Sequence, residues 1–267
     1  MQQAAVRPPA VAGMFYSEHA GSLSREIQSY LAKAESPGTD YPKAIIAPHA
    51  GYVYSGPIAA QAYAQLRAAR GRVNRVVLLG PAHRVPVRGL ALPDAIAFLT
   101  PLGRVRVDQD AIETIADLPQ VLHSPAAHAM EHSIEVQLPF LQSVLGEFQV
   151  VPLVVGWATA DDVAEVLECL WGGPETLIVI SSDLSHYHQY EEAQAMDRET
   201  CSAILNFDPA IDHEHACGAT PVAGFLLAAK AHGLEAELLD LRNSGDTAGD
   251  HVHVVGYAAF AFRERSA

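Results

Sequence analysis

Three apolar runs in this chain are each followed at once by a short polar cluster, and this pattern constrains the fold more than any other feature. AIIAPHAGY carries His49, VVLLGPAH carries His83, and LIVISSDLSH carries Asp183 and His186. Each run is rich in Val, Ile and Leu without alternation, the pattern of a strand buried on both faces of a parallel sheet. The polar residues arrive where such strands should end. In open α/β sheets, ligands bind outside the carboxyl ends of the strands. Residues far apart in sequence are therefore expected to converge on one crevice, as a metal site or an acid–base site.

The rest of the chain alternates strand and helix. Residues 7–16 read as an extended segment tucked against the body. Helices are predicted at 21–34, at about 56–69 (opened by Ser55-Gly56-Pro57), and at 108–117, 132–145, 161–170, 190–205 and 217–232. Pro139 predicts a kink or a late start in the fourth of these. Strands are predicted at 43–48, 74–80, 148–155, 176–181, about 235–242 and 252–262, with three short β pieces around Leu90, Ile96 and Val105. The last strand reads as an antiparallel partner. No linker, repeat or low-complexity tract divides the chain. The expected architecture is a single-domain three-layer α/β/α fold over residues 1–267, with a mainly parallel mixed sheet.

Composition narrows the function classes. Apolar residues make up 49% of the 267 residues and charged residues 18%, enough for a large core. The net charge of −14 argues against nucleic-acid binding, which needs a basic footprint. No apolar run is long enough to span a membrane, and the N-terminus does not read as a signal peptide. The odd cysteine count (Cys169, Cys201 and Cys217) and the lack of a CxxC point to a reducing cytoplasm.

Histidine is the commonest side-chain metal ligand. His49 and His83 both follow a strand and a proline, so two imidazoles in equivalent positions favour a shared site over two separate turn caps. Gly51 and Gly56 would let backbone approach a ligand. Cys217 precedes a clear helix, a position expected to lower its pKa and favour the metal-binding thiolate. Cys169 and Cys201 fall within helices. His213 and His215 read equally as neighbouring ligands or exposed loop histidines. Asp183 and His186 read as general base, orienting group or substrate anchor. Glu131, His132 and Glu135, with His128, resemble a capped helix start as much as a site. Asn243–Asp246 with His251 and His253 form a polar stretch of no assigned role. No GxGxxG, P-loop, GxSxG or HExxH is present, which removes the main support for nucleotide, serine-hydrolase and zincin readings.

RPPAVAGMFY, APHAGYVYSG, LLGPAH, EHSIEVQLPFLQ, ISSDLSHY, CGATPV, SGD and VGYAAF together resemble the Memo family, including the Memo-like proteins of the AmmeMemoRadiSam group. The resemblance runs from about residue 7 to 262. It implies a fold like that of class III extradiol dioxygenases, which hold non-haem Fe(II) on two histidines and a glutamate. On this chain it implies His49 and His83 as metal ligands, Cys217 as the third ligand in place of glutamate, and His186 as acid–base with Asp183 beside it. A thiolate is softer than a carboxylate, accepts copper and Zn(II) as well as iron, and is itself oxidisable. Ring cleavage is therefore not carried over by default.

Three readings follow in order. The first is an Fe(II)- or copper-binding protein with a redox or O₂-linked role. The second is an extradiol dioxygenase acting on a catechol-like substrate. The third is a metal-free module that binds a peptide or small acid in the same crevice.

Overall fold

The three apolar runs become three adjacent strands. The computed structural model describes residues 5–35 and 38–265; Met1–Ala4 of the N-terminal segment lie outside them. In chain order the elements are β1 (Val6–Arg7), α1 (Ala20–Leu31), β2 (Ala44–Ala47), α2 (Tyr52–Ala64), β3 (Arg75–Pro81), β4 (Leu90–Leu92), β5 (Ala97–Thr100) and β6 (Gly103–Val107). They continue through α3 (Gln109–Glu113), β7 (Val121–His123), α4 (Pro125–Ala129), α5 (Leu138–Leu145), β8 (Gln149–Val155), α6 (Ala160–Leu170), β9 (Thr176–Ser181) and β10 (His186–His188). The chain closes with α7 (Tyr190–Leu205), α8 (Ala219–Ala231), β11 (Glu235–Asn243) and β12 (Val254–Arg263).

At the centre of the sheet, β9 lies between β2 and β3 and is parallel to both. Ala47 pairs with Ser181 and Leu79 with Ile180, so the three polar clusters leave the sheet side by side. β8 continues the parallel run beyond β3, and β6 beyond β8. On the other flank β12 is antiparallel to β2, as expected of the last strand, and β11 is antiparallel to β12. The hairpin β5–β6 and the parallel contact of β1 with β5 extend the far edge.

Every residue of β2 and β9 is buried, and so is β3 from Val76 onward. Strands buried on alternate sides must be covered on both faces. One cover is α1, α2 and α5, which pack on each other, with α2 resting on β2 and β12. The other is the pair α6–α8, with α8 resting on β3 and β9. The result is the expected α/β arrangement, and one apolar cluster runs through it from Val11 to Phe262. Among the described residues, no helix is long and apolar enough to cross a membrane.

The segment after β1 is tucked against the body, but a buried carboxylate holds it. Glu135 accepts from the Arg7 guanidinium, from the Ala10 and Val11 amides (2.7 and 3.0 Å) and from the Tyr16 hydroxyl (2.5 Å). Arg7 also donates to the carbonyls of His128 and Glu131.

Several boundaries differ from the expectation. α2 begins at Tyr52, a turn before Pro57, because the tucked segment caps it: the Tyr52 amide donates to the Phe15 carbonyl at 2.7 Å. Gly56 faces α1 and no ligand, since a Cβ there would lie 2.7 Å from the Tyr30 ring. α5 starts late, at Leu138 just before Pro139, after a single 3-10 turn at Glu135–Gln137. α3 is shorter than expected, although Asp108 caps it by accepting from the Ala111 amide. The short elements β7, α4 and β10 have too few residues to leave a periodic signal.

Candidate metal centre

His49 follows β2, His83 follows β3, and Asp183 follows β9. Because Ala47 and Ser181 are in register, the His49 amide donates straight across to Asp183 Oδ1 at 2.7 Å. A third imidazole joins from outside the strand ends. Ligand-capable atoms of His49, His83 and His132 all lie within 4.8 Å of one another. The ring centroids are 5.2 Å apart for His49–His83, 5.4 Å for His49–His132 and 4.7 Å for His83–His132.

The hydrogen bonds behind these rings decide where their lone pairs point. His49 Nδ1 lies 2.8 Å from Ser181 Oγ. That hydroxyl donates its own proton to the Ser133 carbonyl at 2.6 Å and accepts from Gln137 Nε2 at 2.8 Å. A carbonyl only accepts, so Ser181 has no proton left for His49. His49 must carry its proton on Nδ1, which leaves the Nε2 lone pair toward Cys217 Sγ, 3.3 Å away. His83 is held similarly: Nδ1 lies 2.9 Å from Glu131 Oε1, and its backbone amide donates to Oε2 at 2.6 Å. Burial pushes the Glu131 carboxyl up, but the His83 ring and the Ser133 and His83 amides outweigh it and hold the carboxyl at about 2. Glu131 is thus ionised and acceptor-only, so His83 donates from Nδ1 and presents Nε2. A carboxylate behind a histidine in this way fixes the ring and makes it a better ligand.

His132 is different. Its Nδ1 is buried and comes within 3.2 Å of Glu131 Oε1 without the alignment of a hydrogen bond. Burial and the neighbouring His83 lower it to about 4, against the pull of Glu131. Burial, then the charges of His83 and His132, put His49 well below its ordinary value. Clustered imidazoles with one unsatisfied buried nitrogen fit a transition-metal ion; this donor type suits iron, copper, nickel and zinc. The three histidines can hold a metal ion.

Cys217 sits one residue before the N-cap of α8 and touches this cluster at one point, Sγ to His49 Nε2 at 3.3 Å. Its position does not lower its pKa. Burial and the adjacent Asp183 carboxylate push the thiol up, against the Asp183 amide that donates to Sγ at 3.3 Å. The expected thiolate is therefore a thiol in the metal-free protein, because desolvation outweighs the helix terminus. Cys169 is exposed in α6 and Cys201 is buried in α7.

Asp183 is nearly inaccessible, and burial raises its carboxyl to about 6 against the His49 amide and the charges of His186 and His83. His186 lies outside the imidazole cluster, in the wall of an adjoining crevice with His132 and Asp183. Its Nδ1 donates to the Leu184 carbonyl at 2.8 Å, which leaves Nε2 as the nitrogen free to exchange a proton. The Ser185 amide beside it donates to the buried Asp197 Oδ1. Asp197 also explains Gly256 of the VGYAAF motif: a Cβ there would lie 2.0 Å from Asp197 Oδ2. His215 pairs with Asp212 and His213 with Thr220, so neither joins the cluster, although His213 lines a second crevice with His83 and Cys217.

The sequence pattern left Glu131 and His132 open between a capped helix start and a site, and it missed Ser181 and Gln137. His132 does not follow a strand, so the strand-end argument passes over it. The only available signal was a carboxylate beside a histidine in EHS.

Fold and site together define an α/β protein with an imidazole cluster at the carboxyl ends of adjacent parallel strands. A family profile described as "Memo-like protein" matches residues 7–261. Among curated relatives, a MEMO1 family protein of Methanopyrus kandleri is 38% identical, covering 96% of this chain and 99% of its own length. One from Aquifex aeolicus is 37% identical, covering 96% and 99%. The chain belongs to the Memo family. Among solved structures, an uncharacterized protein of Escherichia coli K12 shares the fold alone, with a TM-score of 0.51 at 15% identity over 82% of this chain and 99% of that one.

Proposed function

We propose that this Memo-family protein is a metal-binding protein that holds Fe(II) or copper on His49 and His83 and serves a redox or O₂-linked role. The observation that carries this reading is the orientation of both histidines, each donating from Nδ1 and leaving Nε2 to the imidazole cluster. His132 stands closest as a third nitrogen ligand, and Cys217, against His49 Nε2, is the ligand the family resemblance favours. Bound there, iron or copper would supply a one-electron redox centre. The protein's own part is to orient the imidazoles through Ser181 and Glu131 and to keep a proton acceptor, His186 Nε2, beside the crevice. Three free cysteines support a reducing compartment, the cytosol.

The test is metal content after anaerobic purification, for wild type and for His49→Ala, His132→Ala and Cys217→Ala. The expected result is near-stoichiometric iron or copper in wild type and none in His49→Ala. The two remaining variants assign the third ligand. Equal metal in wild type and His49→Ala would sink the site.

His186, its Nδ1 committed to the Leu184 carbonyl and its ring in the crevice wall, favours a second reading, ring cleavage of a catechol-like substrate. That reading requires O₂ consumption with catechol and Fe(II), abolished in His186→Ala.

A further inference from the structure

The larger crevice at the site has a volume of about 630 Å³. Phe15, Tyr54, Tyr187 and Tyr257 wall it, Asp183 lies at its base, and the exposed Asp250 stands at its rim. No lysine or arginine lines the crevice. Asp250 is the one exposed carboxylate, beside the imidazoles of His132, His186 and His253, while Asp183 is nearly inaccessible; an anion would meet that carboxylate at the rim and approach against the field of a chain carrying −14. A cation meets the opposite situation on both counts. The aromatic walls suit a planar ring.

Tyr187 gives a second, independent pointer. It is a non-glycine residue at φ 64°, placed where the pairing of β10 with β12 slips between His186 and His188. The residue is 72% exposed, so packing does little to offset a strained backbone. Residues held this way are disfavoured and cluster at ligand sites.

We propose that this crevice takes an aromatic ligand that carries a cationic group, an arylalkylammonium. Its ring lies against Tyr54, Tyr187 and Tyr257, its ammonium lies beside Asp250, and Tyr187 sets the specificity. The proposal rests on the metal-site reading only in that the ring's inner edge faces His132 and His186. It excludes small acids and acidic peptides as ligands of this crevice.

Isothermal titration with three probes of one size tests it: phenethylammonium, phenylacetate and the neutral 2-phenylethanol. Each is titrated into the Zn(II)-loaded protein and into the metal-free protein, with metal content measured separately. The expected order is phenethylammonium at least tenfold tighter than phenylacetate, with the alcohol between them. Asp250→Asn should remove most of the preference for the ammonium. Tyr187→Gly should weaken ammonium and alcohol alike about tenfold while Tm stays level or rises, since glycine relieves the strained backbone. Phenylacetate binding as tightly as the ammonium in the metal-free protein overturns the proposal, as does no binding of any probe at millimolar concentration. A protein that takes no metal yet keeps the ammonium preference would fail the metal reading and leave this one standing.

Discussion

At the scale of single residues, the site depends on groups that never face the crevice. Ser181 is completely buried, yet it determines which nitrogen of His49 is free, because its proton is committed to the Ser133 carbonyl. Outer partners of this kind are worth about 10–100-fold in metal affinity. Ser181→Ala should therefore weaken metal binding by about that factor while leaving Tm nearly unchanged. A competition titration against a chelator, run beside thermal denaturation, checks both halves. A Tm drop without a loss of affinity would give Ser181 a purely structural role. His49, His83 and Asp183 were legible in the sequence, because a polar residue ending an apolar run has few other reasons to be there. Ser181 was not, since a serine inside a buried strand carries no sign of what its hydroxyl touches.

At the scale of elements, the N-terminal segment and the stretch before α5 depend on each other. Glu135 is fully buried and accepts from Arg7, Ala10, Val11 and Tyr16 at once. Removing one partner of a buried ion pair leaves the other charge uncompensated, at a cost of roughly 3–5 kcal/mol. Glu135→Ala should destabilise the fold by about that amount and expose residues 8–15 to proteolysis, read by denaturant titration and limited digestion. Unchanged protection of that segment would show that it is held by its apolar contacts instead. The same segment moved the start of α2: with the Phe15 carbonyl capping Tyr52, the helix begins before Pro57 instead of after it. Sequence periodicity locates helices by their own residues, whereas this boundary is set by a segment some forty positions away.

At the scale of the whole molecule, buried neutral histidines tie stability to pH. His128 is buried, donates from Nε2 to the Ala91 carbonyl and has no partner on Nδ1. Burial lowers it from 6.5 to about 4. A group with a depressed folded pKa contributes stability that is present above its unfolded value and is lost as the pH falls toward its folded one. His128 should therefore stabilise the fold above pH 6.5 and lose that contribution between about 6.5 and 4, roughly 3 kcal/mol in all. Urea midpoints across that interval should fall less steeply in His128→Gln than in wild type. Equal slopes would refute the assignment.

The sequence by itself determined the α/β class, the three adjacent strand ends and two of the imidazoles. These follow from local composition: apolar runs must be buried, and polar residues that end them must sit at the rim. Only the tertiary structure decided that His132 completes the cluster, that Glu131 and Ser181 orient its rings, and that Cys217 is a half-buried cysteine set against His49. Those facts depend on register between strands and on desolvation by distant segments, which no local pattern encodes.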